Sequence, residues 1–95
     1  MLEQLIIQLY QKKNTRQAVQ MAAYMRNQFP FLGIRTPERK KLCTAYFKQE
    51  QAKKHVDWPA VKRLWALPER EFQYIAADYL RTMQSFLTEQ DLSRL

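Results

Sequence analysis

Phe29-Pro30-Phe31-Leu32-Gly33-Ile34-Arg35-Thr36-Pro37-Glu38 is the stretch on which the reading of the fold turns. On both sides of it apolar residues recur with the period of an α-helix, and within it they do not. Pro30 disfavours the α conformation at Phe29, so a helix arriving from the N-terminal side ends there. Gly33 is the only glycine in the 95 residues, which predicts a backbone angle that a side chain would forbid. Phe31, Leu32 and Ile34 predict an apolar connection packed inward. Thr36-Pro37-Glu38 then predicts a helix start. The Thr36 hydroxyl can accept from an unpaired N–H, Pro37 fits the first helical position, and Glu38 complements the helix dipole.

Working outward, Leu2, Leu5, Ile6, Leu9 and Tyr10 follow i, i+3, i+4, i+7, i+8 and predict an amphipathic opening helix, broken at Lys12-Lys13-Asn14. A second helix is expected over residues 15–28, with Ala18, Met21, Ala22 and Met25 inward. The third runs from Thr36 to about Lys53 and is expected to bury Leu42, Cys43, Ala45, Tyr46 and Phe47. Asp57 reads as the cap of a fourth helix, with the stripe Trp58, Val61, Leu64 and Trp65. Spaced by seven, the two tryptophans are expected in the core. Pro68 opens a fifth helix, favoured by Glu69 and Glu71 near its N-terminus, with the stripe Phe72, Ile75, Ala76, Tyr79, Leu80 and Met83. Thr88 followed by Asp91 resembles a capping box for one more helix, with little chain left before Leu95. A segment that short is marginal alone, so a cut inside a larger helical architecture is expected. With no strand-period segment and no hairpin turn, the class is all-α. Periodicity admits either a compact bundle or an α-solenoid of helix pairs.

Composition narrows the function classes. Hydrophobic content of 46%, including 13% aromatic residues, excludes a disordered chain. One cysteine (Cys43) and one histidine (His55) exclude a disulfide framework and a usual zinc site. Cys43 reads as a buried free thiol, and His55 as a surface residue at a helix end. The longest purely apolar run, Met21 to Met25, is far too short to span a bilayer. No secretory signal opens the chain, so a soluble cytoplasmic protein is expected. The formal charge is +7, and it is uneven: residues 1–63 carry +9 and residues 64–95 carry −2. A basic half joined to a slightly acidic one implies a field directed at a polyanion, although a solvated, solubilising surface gives the same count.

The run from Met21 to Arg39, containing Tyr24-Met25-Arg26-Asn27-Gln28-Phe29-Pro30-Phe31-Leu32-Gly33-Ile34-Arg35-Thr36-Pro37-Glu38-Arg39, strongly resembles the DNA alkylation repair glycosylases of the AlkD-like family. Leu64-Trp65-Ala66-Leu67-Pro68-Glu69-Arg70-Glu71-Phe72-Gln73-Tyr74 and Ala76-Ala77-Asp78 echo the same family. The resemblance implies an α-solenoid of HEAT-like antiparallel helix pairs, a right-handed superhelix whose concave basic face holds duplex DNA. It implies base excision repair by a hydrolase that cleaves the N-glycosidic bond of cationic purines such as 3-methyladenine and 7-methylguanine, with no cofactor and no metal. Residues 1–95 would be the N-terminal part of a single such domain, its C-terminal repeats absent. The family's catalytic aspartate and cleft tryptophan come from a Trp-Trp-Asp segment beyond the helix expected at Thr88. No catalytic residue is therefore expected in this chain. The partner implied is duplex DNA, at its phosphate backbone and its alkylated purine, and no membrane. The alternative is a self-standing helical interaction module without catalysis.

On that resemblance Tyr24 lines the cleft near the lesion; otherwise it packs against the following helix. Arg35 holds a position that varies among DNA-facing residues. Arg39, Lys40 and Lys41 crowd the first turns of a helix, where cations oppose the dipole, a placement better explained by phosphate contact than by helix stability. Arg26 and Lys48 extend the track. Lys53 and Lys54 close a helix, where the dipole already accounts for them. Asp78 is expected as a structural hydrogen-bond or ion-pair partner rather than a catalytic acid.

Overall fold

The connection around Gly33 is inward-packed, and what makes that tolerable is a glutamate. In the computed structural model, which describes residues 1–94 and side chains through residue 91, Phe31, Leu32 and Ile34 are all buried. Their backbone N–H groups lose water and need acceptors. Glu71, fully buried, supplies them: Leu32 N–H donates to Oε1 at 2.8 Å, and Gly33 and Ile34 N–H donate to Oε2 at 2.9 and 3.1 Å. Gly33 takes φ +92°, as its solitary glycine predicted. A Cβ there would collide with the Asn14 carbonyl oxygen and lie 2.7 Å from the Ala18 nitrogen.

Five helices surround this connection: α1 (Leu2–Gln11), α2 (Thr15–Tyr24), α3 (Thr36–Lys53), α4 (Trp58–Ala66) and α5 (Arg70–Thr82). Two 3-10 turns follow, Gln84–Phe86 and Glu89–Arg94. No strand occurs among the described residues, so the class is all-α. Helix α5 packs against both α3 and α4, and α1 packs against α3. One core runs through these layers, from Leu5, Ile6 and Leu9 across Leu32, Ile34, Cys43 and Tyr46 to Phe72, Ile75 and Tyr79. Arg63–Glu3 (2.8 Å) and Tyr10–Glu69 (2.6 Å) join α1 to α4 and to the start of α5. Tyr79 anchors the α3–α4 connection: its phenol donates to buried Glu50 at 2.8 Å and accepts from Asp57 N–H at 2.9 Å.

Several local expectations change. Helix α2 stops at Tyr24 rather than Gln28, because Arg26 and Asn27 turn left-handed (φ 56° and 57°) and Asn27 N–H closes onto the Ala22 carbonyl. Its N-cap is Asn14, whose side chain accepts from Gln17 N–H. Thr36 does not cap α3; it already lies in the first turn, and Arg35 holds the cap position without a side-chain bond. The inner face of α3 is Arg39, Cys43, Tyr46 and Glu50, leaving Ala45 exposed. Trp58 is buried, its indole N–H donating to Asp91, but Trp65 is 60% exposed rather than in the core. The inward azimuth of α4 belongs to Ala60 and Leu64. The Asp57 cap holds, accepting from Ala60 N–H, and Asp91 accepts from Thr88 N–H as the capping pattern required. The segment after Thr88 is a 3-10 turn rather than an α-helix, and Leu95 lies outside the described residues.

Two substitutions test the connection. Gly33→Ala forces a side chain into a left-handed angle and against the 14–18 backbone, and should cost about 3 kcal/mol. Glu71→Gln keeps the shape but puts an NH2 where an acceptor stood. Leaving one or two buried N–H groups unpaired should cost about 2–3 kcal/mol, lowering the melting temperature by roughly 10–20 °C. Thermal denaturation followed by circular dichroism checks both; a shift below about 2 °C for either would contradict the account.

Candidate functional site

The α-helical repeat places Thr36, Lys40, Thr44 and Lys48 one above another along one flank of α3. At its N-terminal end this flank opens into a notch of about 560 Å3 lined by Gln20, Met21 and Tyr24 of α2 and by Arg35, Thr36 and Pro37. Tyr24 is 88% exposed, so it is not packed against α3; its ring is presented at the end of α2, beside Arg35. Further along, the same flank meets α5 in a groove of about 430 Å3, lined by Lys40, Thr44, Phe47, Lys48 and Gln51 on one side and Asp78, Arg81 and Thr82 on the other. Lys40, Lys48 and Arg81 are all exposed. Arg26 is exposed in the left-handed turn just beyond α2, and Lys41 is exposed beside Lys40.

Arg39 does not stand with its neighbours. Its residue is 7% exposed, and Nη2 donates to Asp78 Oδ2 at 3.1 Å across the α3–α5 interface. The guanidinium carbon also lies 5.1 Å from the centroid of the Tyr74 ring, on whose π-system Arg70 also sits, at 5.4 Å. Arg70 continues this ladder over Phe29 at 4.2 Å. Arg39 is thus corrected from an expected phosphate ligand to a buried strut, because its azimuth is that of Cys43 and Tyr46. Asp78 is the ion-pair partner expected of it, and its Oδ1 also faces Arg81 Nη1 at 3.5 Å. Lys53 pairs with Glu50 at 2.8 Å, and Lys54, left-handed at φ 59°, ends α3.

Arg81 and Thr44 were missed by the sequence reading. The signal for Arg81 is its position three residues after Asp78, masked in the sequence by the net acidity of its half of the chain. In the sequence Glu71 stands out only as a dipole complement.

Electrostatically the flank offers cations, hydroxyls and one exposed aromatic ring. Acid–base or nucleophilic chemistry has little purchase here. Cys43 is buried, and loss of solvation pushes its thiol up to about 12. Tyr46 and Tyr79 are pushed up as well, first by burial and then, among other causes, by Glu50 nearby. Among the described residues no cluster of three or more His, Cys, Asp or Glu side chains is grouped to hold a metal ion. Among them, too, no helix is long and apolar enough to cross a membrane.

Two comparisons with known proteins point the same way. None of the curated proteins matches the chain. A solved structure described as a predicted DNA alkylation repair enzyme from Enterococcus faecalis is similar over 83% of this chain, with 30% sequence identity and a TM-score of 0.74. The present chain spans only 38% of that longer one. The family model for the DNA alkylation repair enzymes matches residues 5–95, which takes in every element that builds the notch and the groove. The chain belongs to the DNA alkylation repair enzyme family.

Proposed function

We propose that these residues form the DNA-holding part of an alkylpurine DNA glycosylase, whose helices continue as HEAT-like antiparallel pairs in a right-handed superhelix. The observation that carries this reading is the single flank of α3 that joins the Tyr24–Arg35 notch to the Lys40–Lys48–Arg81 groove. Spaced about two helical turns apart, Lys40 and Lys48 can follow a phosphate backbone while Tyr24 offers an apolar face to a base or sugar. Arg26, Arg35 and Lys41 extend the cationic track at either side. Family membership and the Enterococcus faecalis neighbour support alkylated duplex DNA as the partner.

Excision of a cationic alkylpurine requires stabilising positive charge that develops on the sugar. In this proposal the carboxylate and cleft aromatics that do so belong to segments beyond these 95 residues, and the present groups supply grip and orientation. Asp78 is held by two arginines, and Glu71 is buried under three N–H groups. Glu71 is thereby shut away from any deoxyribose, and Asp78, on the groove wall, is already committed to its arginines.

Two outcomes test the reading. Duplex DNA should bind weakly and without sequence preference, and three or four phosphate contacts give a log–log salt slope near −3. Changing Lys40 and Lys41 to Ala should flatten that slope by up to about two units. Changing Lys53 and Lys54 should matter less, since Lys53 is already spent on Glu50. Equal effects of the two double substitutions, or no slope while a longer family member binds, would favour the interaction-module alternative. The purified 95-residue chain should release no 7-methylguanine from methylated DNA; release by a chain of verified mass would overturn the assignment of the catalytic groups to other segments.

A further inference from the structure

Among the residues lining the α3–α5 groove, Asp78 is the one carboxylate, and its two oxygens are held unequally. Oδ2 lies 3.1 Å from Arg39 Nη2, and the two side chains are 9% (Arg39) and 18% (Asp78) exposed. Oδ1 lies 3.5 Å from Arg81 Nη1, and the Arg81 side chain is 73% exposed. The first contact is short and lies within a helix interface. The second is long and wet, the kind of pair that contributes little to stability. Arg81 is therefore parked on Asp78 rather than locked there. Losing Arg81 would not strand a bare, half-buried charge either, because Arg39 still compensates it.

We infer that Asp78 is a positioning residue for anion binding: it holds the Arg81 guanidinium at the groove as an internal counter-anion and yields it to a DNA phosphate. The inference rests on the DNA-facing reading of the groove. A phosphate reaching Lys40 and Lys48 meets Arg81 as a third cation and Asp78 as a competing anion. The competition sets a threshold: an anion that engages several cations at once displaces Asp78 from Arg81, and one that reaches Arg81 alone does not. Asp78 thereby lowers the affinity for isolated small anions relative to a polymeric backbone.

The test is fluorescence anisotropy of labelled duplex DNA with the full chain across a salt series. It compares the wild type, Asp78→Asn, Arg81→Gln, the double variant, and Glu3→Gln as a charge control on α1, outside the groove. Asn retains an acceptor for Arg39. Asp78→Asn should tighten binding about two- to fivefold with little change of the log–log slope, because Arg81 already contacts a phosphate in the wild-type complex. The gain should vanish in the Arg81→Gln background and be absent in Glu3→Gln. Unchanged or weaker binding by a folded Asp78→Asn chain, or a gain that survives Arg81→Gln, overturns the inference while leaving the DNA-binding reading intact. If Asp78→Asn does not fold, Arg81→Gln decides: it should weaken binding and flatten the slope by about 0.9, and no change overturns the inference. If the wild type binds no duplex while a longer family member does in the same assay, the DNA-binding reading fails. Titration of inorganic pyrophosphate, followed by the NMR signal of the Arg81 Nε–H, then judges the inference separately: the signal should shift at lower pyrophosphate concentration in Asp78→Asn than in the wild type, and equal titrations of the two overturn it.

Discussion

Three consecutive backbone N–H groups converge on one buried carboxyl group, and the arrangement of the helices hangs from that contact. Without Glu71 the Leu32–Ile34 backbone would carry unpaired donors into an apolar interior, a cost comparable with much of a small domain's stability. With it, the connection lies flat against α5. The same connection then sets the origin of α3 and, through Asn14 N–H donating to the Leu32 carbonyl at 2.9 Å, the origin of α2. Arg70 N–H donates to the Pro30 carbonyl at 2.8 Å, tying the start of α5 to the same segment. A glutamate one residue into one helix thus locates the beginnings of two others.

Legibility in the sequence followed the polarity of each inner face. Helix α5 is legible almost to the residue, because its buried stripe of Phe72, Ile75, Ala76 and Tyr79, continued by Met83, is apolar but for the Tyr79 hydroxyl, and its one buried charge, Glu71, stands at the very start. Helix α3 is legible at Cys43 and Tyr46, with Leu42 and Phe47 partly buried against the same core, but not at Ala45, which is exposed, nor at the ends of its inner stripe, Arg39 and Glu50. Hydrophobicity cannot point to a face that buries two charges. Trp65 failed for another reason. It shares an azimuth with Trp58, but Trp58 is buried at a place where its indole meets Asp91, about two turns away along the axis. The Gly33 turn and the Asp57 cap were legible because each rests on local backbone chemistry.

The site divides in the same way. Tyr24, Arg35, Lys40 and Lys41 stand at the surface, where side chains of their types usually stand. The reassignment of Arg39 came from tertiary packing: a partner 39 residues away takes its guanidinium inside. Arg81 shows the converse, a cation in the acidic half of the chain that folding brings beside Lys40 and Lys48. Net charge summed along a chain does not locate a field, because helices fold distant segments onto one flank.

Helix α2 buries only Ala18 and is held chiefly at its start, by the Asn14–Leu32 bond and the close approach of Gly33. Local opening draws first on elements with few buried apolar contacts. In amide hydrogen exchange, α2 should accordingly open at a lower free energy than the α3–α5 core. Tyr24 sits at its far end, so the exposed ring rides on a lightly anchored helix. The notch has a rigid wall on α3 and a compliant one on α2, an arrangement that lets one aromatic ring adjust to a curved surface without disturbing the core.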